Sequence, residues 1–194
     1  TLLKNWDHRY AIHQPEPLLF ETWYLAFLKT ALRDNLGEKL FDQYLTKSYL
    51  PRYAAHFLFQ NPGSGWFDNA RTPATETYAH CIRTAFSLAL DDLSEQYGPP
   101  EKWHWGDGHT VTFDHPLGSV KFLNALFHFN RGPFPAPGSF HTVAPFAYRF
   151  GDPFKSYHAA SQRHIYDLSN WDNSRVIVPI GNSGHPASPF YDNH

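Results

Sequence analysis

An α+β architecture, with a helical first half and a β-rich second half, follows from three features of this 194-residue sequence. Before residue 100, apolar residues recur at spacings of three and four. After residue 100, alternating stretches rich in β-formers take over. The two patterns are grouped, not interleaved, which argues for a layered α+β domain over alternating βα units. The chain reads as one region over residues 1–194, mainly helical over 1–100 and mainly strands and loops over 101–194.

The elements follow in order. Leu19, Phe20, Trp23, Tyr24, Phe27, Leu28, Ala31 and Leu32 share one broad helical face. Pro15 and Pro17 stand at its start and Gly37 offers its stop. Leu40, Phe41, Tyr44 and Leu45 predict a shorter second helix. Residues 61–65, Asn-Pro-Gly-Ser-Gly, predict a loop. Thr72-Pro73 has the form of a cap followed by proline at the first helical position. The period then continues through Tyr78, Ile82, Ala85, Phe86, Ala89, Leu90 and Leu93 until Gly98-Pro99-Pro100 ends it. Residues 109–113 alternate as a strand, and residues 131–138 read as a Pro/Gly-rich connection. Strands are predicted over 140–150, 161–168 and 174–180, the last including an apolar run, 176–180, expected to be buried.

That run leads into GNSGHPASPFYD at residues 181–192. Two glycines and two prolines in so short a stretch exclude a helix or a regular strand and predict a loop of one fixed shape.

Composition bounds the function. The chain is long enough for one domain with a real core. Its net charge is −2 and its basic residues form no cluster, which argues against nucleic acid as a partner. No apolar run approaches membrane-spanning length, and no signal peptide is visible. The chain begins at Thr1 and contains no methionine, so a processed product or a fragment is expected. Aromatic residues make up 18%, a share that fits large packed surfaces or, alternatively, a stand-alone aromatic-rich binding module.

Candidate chemistry is sparse. Cys81 is the one cysteine, which excludes an internal disulfide, and its helical setting predicts a buried small hydrophobe. The 13 histidines are scattered, with no HExxH or CxxC pattern. His109, His115 and His141 would form a metal cluster only if the strands bring them together. Ser183 and His185 stand close, but a histidine occupies the place where a nucleophile elbow requires glycine. Asn182 and His185 are expected to satisfy backbone groups in the turn. Trp66, Phe67, Trp103 and Trp105 are expected to pack in the core, with a ligand pocket as the alternative.

An ordered set of short motifs adds a family signal. Leu3, Trp6 and Asp7 fit an L-x-x-W-D segment, and residues 20–24 with Leu36-Gly37 fit the helix that follows it. Trp66-Phe67-Asp68-Asn69 is close to WFDD. Trp105-Gly106 precedes Phe113, His115, Pro116 and Leu117. Residues 131–138, RGPFPAPG, precede His141-Thr142-Val143. Ala160-Ser161-Gln162-Arg163 and Asp167-Leu168-Ser169 come next, and the 181–192 loop closes the series. Together they resemble the later part of the β chain of the penicillin acylase family.

That resemblance implies the N-terminal nucleophile hydrolase superfamily and part of its four-layer αββα sandwich. It implies an exported, periplasmic or secreted precursor cut into α and β chains, whose new β N-terminal serine attacks an acyl amide. The serine's own α-amine, with a reference pKa of ~8, serves as base. The serine, the oxyanion-hole donors and the calcium ligands map outside this chain, so no cofactor is expected here, although the complete enzyme is a candidate for calcium. The implied partners are the acylase α chain, the N-terminal part of the β chain and a small acyl-amide substrate, with no nucleic acid and no membrane. Thr1 falls deep inside the β chain on this alignment, away from a nucleophile's position. Asp167 matches an acidic residue that, in the cephalosporin acylase branch, orients a histidine beside the nucleophile. Its bland counterpart is a carboxylate paired with Arg163, Arg175 or backbone amides.

Overall fold

Proline and glycine set the limits of the first helix, as their chemistry dictates. In the computed structural model, which describes residues 2–47, 49–69, 71–140 and 142–193, α1 spans Glu16–Leu36. Pro17 sits in the first turn, where a missing N–H costs nothing, and Glu16 complements the positive end of the helix dipole. Gly37, at φ 75°, stops the helix and donates its N–H to the Arg33 carbonyl at 2.8 Å. Arg33 also pairs with Glu38 at the start of α2, Glu38–Leu45. Two further helices follow, α3 at Leu50–Gln60 and α4 at Tyr78–Tyr97.

α1 and α4 form the main packed pair. α1 contributes buried Leu18, Phe27, Leu28 and Ala31, and α4 presents the small residues Cys81, Ala85 and Ala89. Small side chains on one helix let large ones from the other fill the gap at close range. The Phe59 ring of α3 stacks on Phe27 at 4.8 Å and on Trp23 at 5.9 Å, which ties the third helix to the first. Each buried Leu or Phe here stabilises the fold by about 1.5–3 kcal/mol.

Among the described residues, the second half contains two short helices, α5 at Trp105–Gly108 and α6 at Lys121–Phe127, and six strands in two small sheets. The strands β1 (Thr110–Phe113), β2 (Arg131–Pro135), β3 (Ala147–Arg149) and β4 (Asp152–His158) make a mixed sheet in the order β2-β1-β4-β3. β1 runs parallel to β4, with Thr110 opposite Lys155, and the other pairs are antiparallel. A separate antiparallel ribbon joins β5 (Arg163–Ile165) to β6 (Arg175–Ile177), with His164 opposite Val176. Backbone bonds fasten α5 and the segment after β2 to the chain ahead of α1: Gly106 donates to Ile12 and Gly138 to Tyr10, each at 2.8 Å.

Several local expectations change. α4 begins at Tyr78, not after Thr72-Pro73; Thr77 is its cap, with its hydroxyl accepting from His80 N at 3.3 Å. Thr72 instead closes a turn, bonding Asn69, Ala74 and Glu76. α3 was not anticipated, because Pro51 hides an ordinary helix start. The connection 131–138 includes β2, an edge strand, where proline's missing donor is tolerated. The strand expected over 140–150 contracts to β3, since Thr142 and Ala144 are taken up in a turn. β4 was also unanticipated. The apolar run 176–180 is not buried: Val176 is 53% exposed.

Candidate functional site

Asp167 follows β5 in a turn that leads to Trp171–Asn173. Its carboxylate accepts from the Ser169 hydroxyl at 2.6 Å, Ser169 N at 2.9 Å, and Asn170 N and the Asn173 amide at 3.2 Å each. Among the described residues these turn groups, not Arg163 or Arg175, hold it. The Ser169 hydroxyl, followed by Asn173 and the backbone amides, pulls the carboxyl down to about 2. Asp167 is therefore an anion across the neutral range, able to orient a cation or an imidazole but not to donate a proton.

Glu21 shows the opposite environment. It lies on α1 between Leu18 and Leu25 along the inward face and is only 4% exposed. Its two oxygens accept from the Ser139 hydroxyl at 2.9 Å and the Tyr148 hydroxyl at 2.7 Å. Burial pushes its carboxyl up, against the pull of hydroxyls from Tyr148, Ser139 and Tyr10 and of the Arg52 guanidinium. The Tyr10 and Tyr148 hydroxyls are raised in turn, by burial and by the carboxylate beside them. Glu21 thus joins the long helix to the segment after β2 and to β3. Sequence reading passed over it, although a charge within an apolar helical face was the available signal.

His109 is a further buried titratable group. Its ring stacks on Trp105 at 4.4 Å, and Nδ1 lies 2.9 Å from the Phe154 carbonyl. Phe154 itself sits at φ 67°, a strained setting for an aromatic residue. Burial lowers the imidazole to about 4, against the carbonyls of Phe154 and Phe146, so the ring is neutral and Nδ1–H donates. His115 is elsewhere employed, its Nδ1 accepting from Leu117 N at 3.1 Å. His141 and Thr1 lie outside the described residues. Among the described residues, no three His, Cys, Asp or Glu side chains are placed to hold a metal ion.

The remaining candidates resolve into structure. Cys81 is buried against the Phe67 carbonyl, and burial raises its thiol, which disfavours the nucleophilic thiolate. Trp103, Trp105 and Phe67 are core residues, whereas Trp66 is half-exposed. Ser183 and His185 make no catalytic pair. His185 N donates to the Ser183 hydroxyl, and the His185 ring accepts from Ala187 N, each at 3.2 Å. Asn182 bonds the backbone of Val176 and Val178. The 181–192 loop docks through Tyr191, whose buried hydroxyl donates to the Phe129 carbonyl at 2.6 Å, and through Asp192 on Arg131 at 2.5 Å.

The penicillin amidase family model matches residues 1–194, the full chain. This chain belongs to the penicillin amidase family. Its relatives include the acyl-homoserine lactone acylase QuiP of Pseudomonas syringae pv. syringae, 26% identical over all of this chain and 24% of the relative. QuiP of Pseudomonas aeruginosa is 29% identical over 87% of this chain and 22% of its own length. The penicillin acylase 2 proenzyme of Pseudomonas sp. (strain SE83) is 42% identical over 59% of this chain and 14% of its own. The chain thus spans about a quarter of the length of the first of these relatives.

Proposed function

We propose that this chain is the C-terminal part of the β chain of an N-terminal nucleophile amidohydrolase. The complete enzyme hydrolyses the amide between an acyl side chain and a β-lactam, homoserine lactone or lipopeptide nucleus. The observation that carries this reading is the end-to-end match to the penicillin amidase family model, whose matched relatives are named as acylases of acyl-homoserine lactones and penicillins. The nucleophilic serine, its α-amine base and the oxyanion hole belong to the remainder of the enzyme. This part supplies some of the four-layer αββα scaffold and, through Asp167, an anion that positions a histidine near the nucleophile. The unusually low pKa and fixed turn suit Asp167 to that task.

The surface supports docking onto an α chain and the rest of the β chain. Ile165, Tyr166, Leu168 and Trp171 lie exposed on and beside the β5–β6 ribbon. Calcium, where the complete enzyme uses it, falls to residues elsewhere in that enzyme. Export to the periplasm or beyond belongs to the same reading.

Intact-mass analysis of the natural protein under denaturing conditions tests the assembly, together with hydrolysis of N-decanoyl-homoserine lactone and penicillin G. A companion polypeptide starting with serine, and release of the acyl acid from either substrate, are expected. This chain alone, without companion or hydrolysis, overturns the proposal.

A further inference from the structure

The segment ahead of α1, α1 itself and α4 border a hollow of about 890 Å³. Its walls are mostly rings. Trp6, Phe20 and Trp23 follow one another, with successive centroids 5.6 Å and 5.8 Å apart, and Phe86 of α4 joins them in the lining. Both indole N–H groups are already spent. Trp6 Nε1–H donates to the Arg9 carbonyl at 2.9 Å, and Trp23 Nε1–H to the Ile82 carbonyl at 3.4 Å. These bonds pin the two rings, so the aromatic wall offers flat apolar surface and no free donor.

Polar recognition falls to α4. Arg83 and Ser87 stand four residues apart on one helical face, and both line the hollow. Among the described residues, Arg83 forms no ion pair, and no lining residue is acidic. The hollow therefore sets an unbalanced guanidinium beside aromatic walls. A cationic ligand meets Arg83 as a like charge. A carboxylate balances it one for one, and its two oxygens match the guanidinium fork, with the Ser87 hydroxyl as a further donor. A phosphate dianion brings more charge than one guanidinium offsets. Aromatic rings gain from offset and edge-to-face contact with ring walls, which an alkyl chain does not. A wall of three successive rings also outruns a single phenyl group and suits a fused ring system. The volume and the few orienting polar groups are those of a small-molecule site.

We propose that this hollow binds a fused-ring aromatic carboxylate, with the ring system against Trp6, Phe20 and Trp23 and the carboxylate on Arg83 and Ser87. The site takes no part in amide hydrolysis and does not rest on the acylase reading.

Equilibrium dialysis of the complete natural protein with naphthoate tests this. Saturable binding is expected, at least tenfold tighter than that of acetylnaphthalene, the neutral counterpart, or of octanoate or phenylacetate. Arg83 is exposed, so its replacement leaves the core intact. Arg83→Met weakens naphthoate binding at least tenfold and Arg83→Lys restores part of it, with circular dichroism showing that each variant is folded. Naphthoate held at any other site, a catalytic centre included, survives Arg83→Met, so this variant locates the binding. Absent saturable binding, equal binding of acetylnaphthalene, octanoate or phenylacetate, tighter binding of naphthyl phosphate, or an Arg83→Met protein that binds like wild type overturns the proposal.

Discussion

Glu21 and Asp167 are both carboxylates, and their surroundings drive them in opposite directions. Asp167 sits in a turn of donors and stays charged. Asp167→Asn keeps an acceptor for the turn amides but loses the charge. If Asp167 positions a histidine, the variant loses at least tenfold in kcat with KM nearly unchanged and a shifted pH-rate profile; a purely structural Asp167 leaves all three unaltered. Glu21 is buried, so its folded pKa lies above the unfolded value near 4.5. The favourable linkage is complete below that value and is lost as pH rises through the folded pKa. Melting of Glu21→Gln between pH 4.5 and 8 should accordingly show a weaker decline with rising pH than wild type. Glu21→Ala strands the Ser139 and Tyr148 hydroxyls and should cost about 2–4 kcal/mol by denaturant unfolding. His109 carries the opposite sign. Its pKa falls from 6.5 to about 4, so stability is complete above 6.5 and declines as pH falls to about 4. The loss is on the order of 3 kcal/mol. His109→Gln retains a donor for the Phe154 carbonyl without titrating, and should flatten that acid-side decline in a melting series; an unchanged slope assigns the acid sensitivity to other groups.

At the scale of elements, the 181–192 loop acts as a clasp. Gly181 lies so near the Phe190 carbonyl that a Cβ there collides with it, and the loop's far end is fixed by Tyr191 on Phe129. Tyr191→Phe removes one buried hydrogen bond and should lower stability by about 1 kcal/mol, with faster proteolytic cleavage between residues 181 and 190. Cleavage at the wild-type rate would mean that the ring, not the hydroxyl, holds the clasp. The sequence made this loop legible because glycine and proline act locally. It made α1 and α4 legible for a related reason: a long helix repeats its apolar signal over several turns. The strands were harder to read, because β3, β5 and β6 each have three residues and β2 contains two prolines. Register and partners for such pieces come from distant chain segments. The same holds for the buried carboxyl of Glu21, which meets Ser139 across 118 residues of sequence.

At the scale of the whole molecule, the two halves differ in what they bury. The helical half encloses Phe27, Leu28, Leu58 and Leu93 almost completely, whereas the β5–β6 ribbon leaves Leu168 77% and Trp171 69% exposed. A two-stranded ribbon is marginal alone, and its open edges offer unpaired backbone groups. The Asp167 turn hangs from this ribbon, so the carboxylate's aim is only as firm as the ribbon's footing. On the proposed assembly, companion segments supply that footing by covering the apolar face and pairing the edges. Hydrogen exchange on the separated chain and on the complete enzyme checks this directly. Amides of residues 163–177 should exchange at least a hundredfold faster in the separated chain, while those of α1 and α4 change far less. Acrylamide should likewise quench Trp171 more strongly in the separated chain. Equal protection of the ribbon in both forms would show that it stands unaided, and the case for its docking against an acylase core would fall.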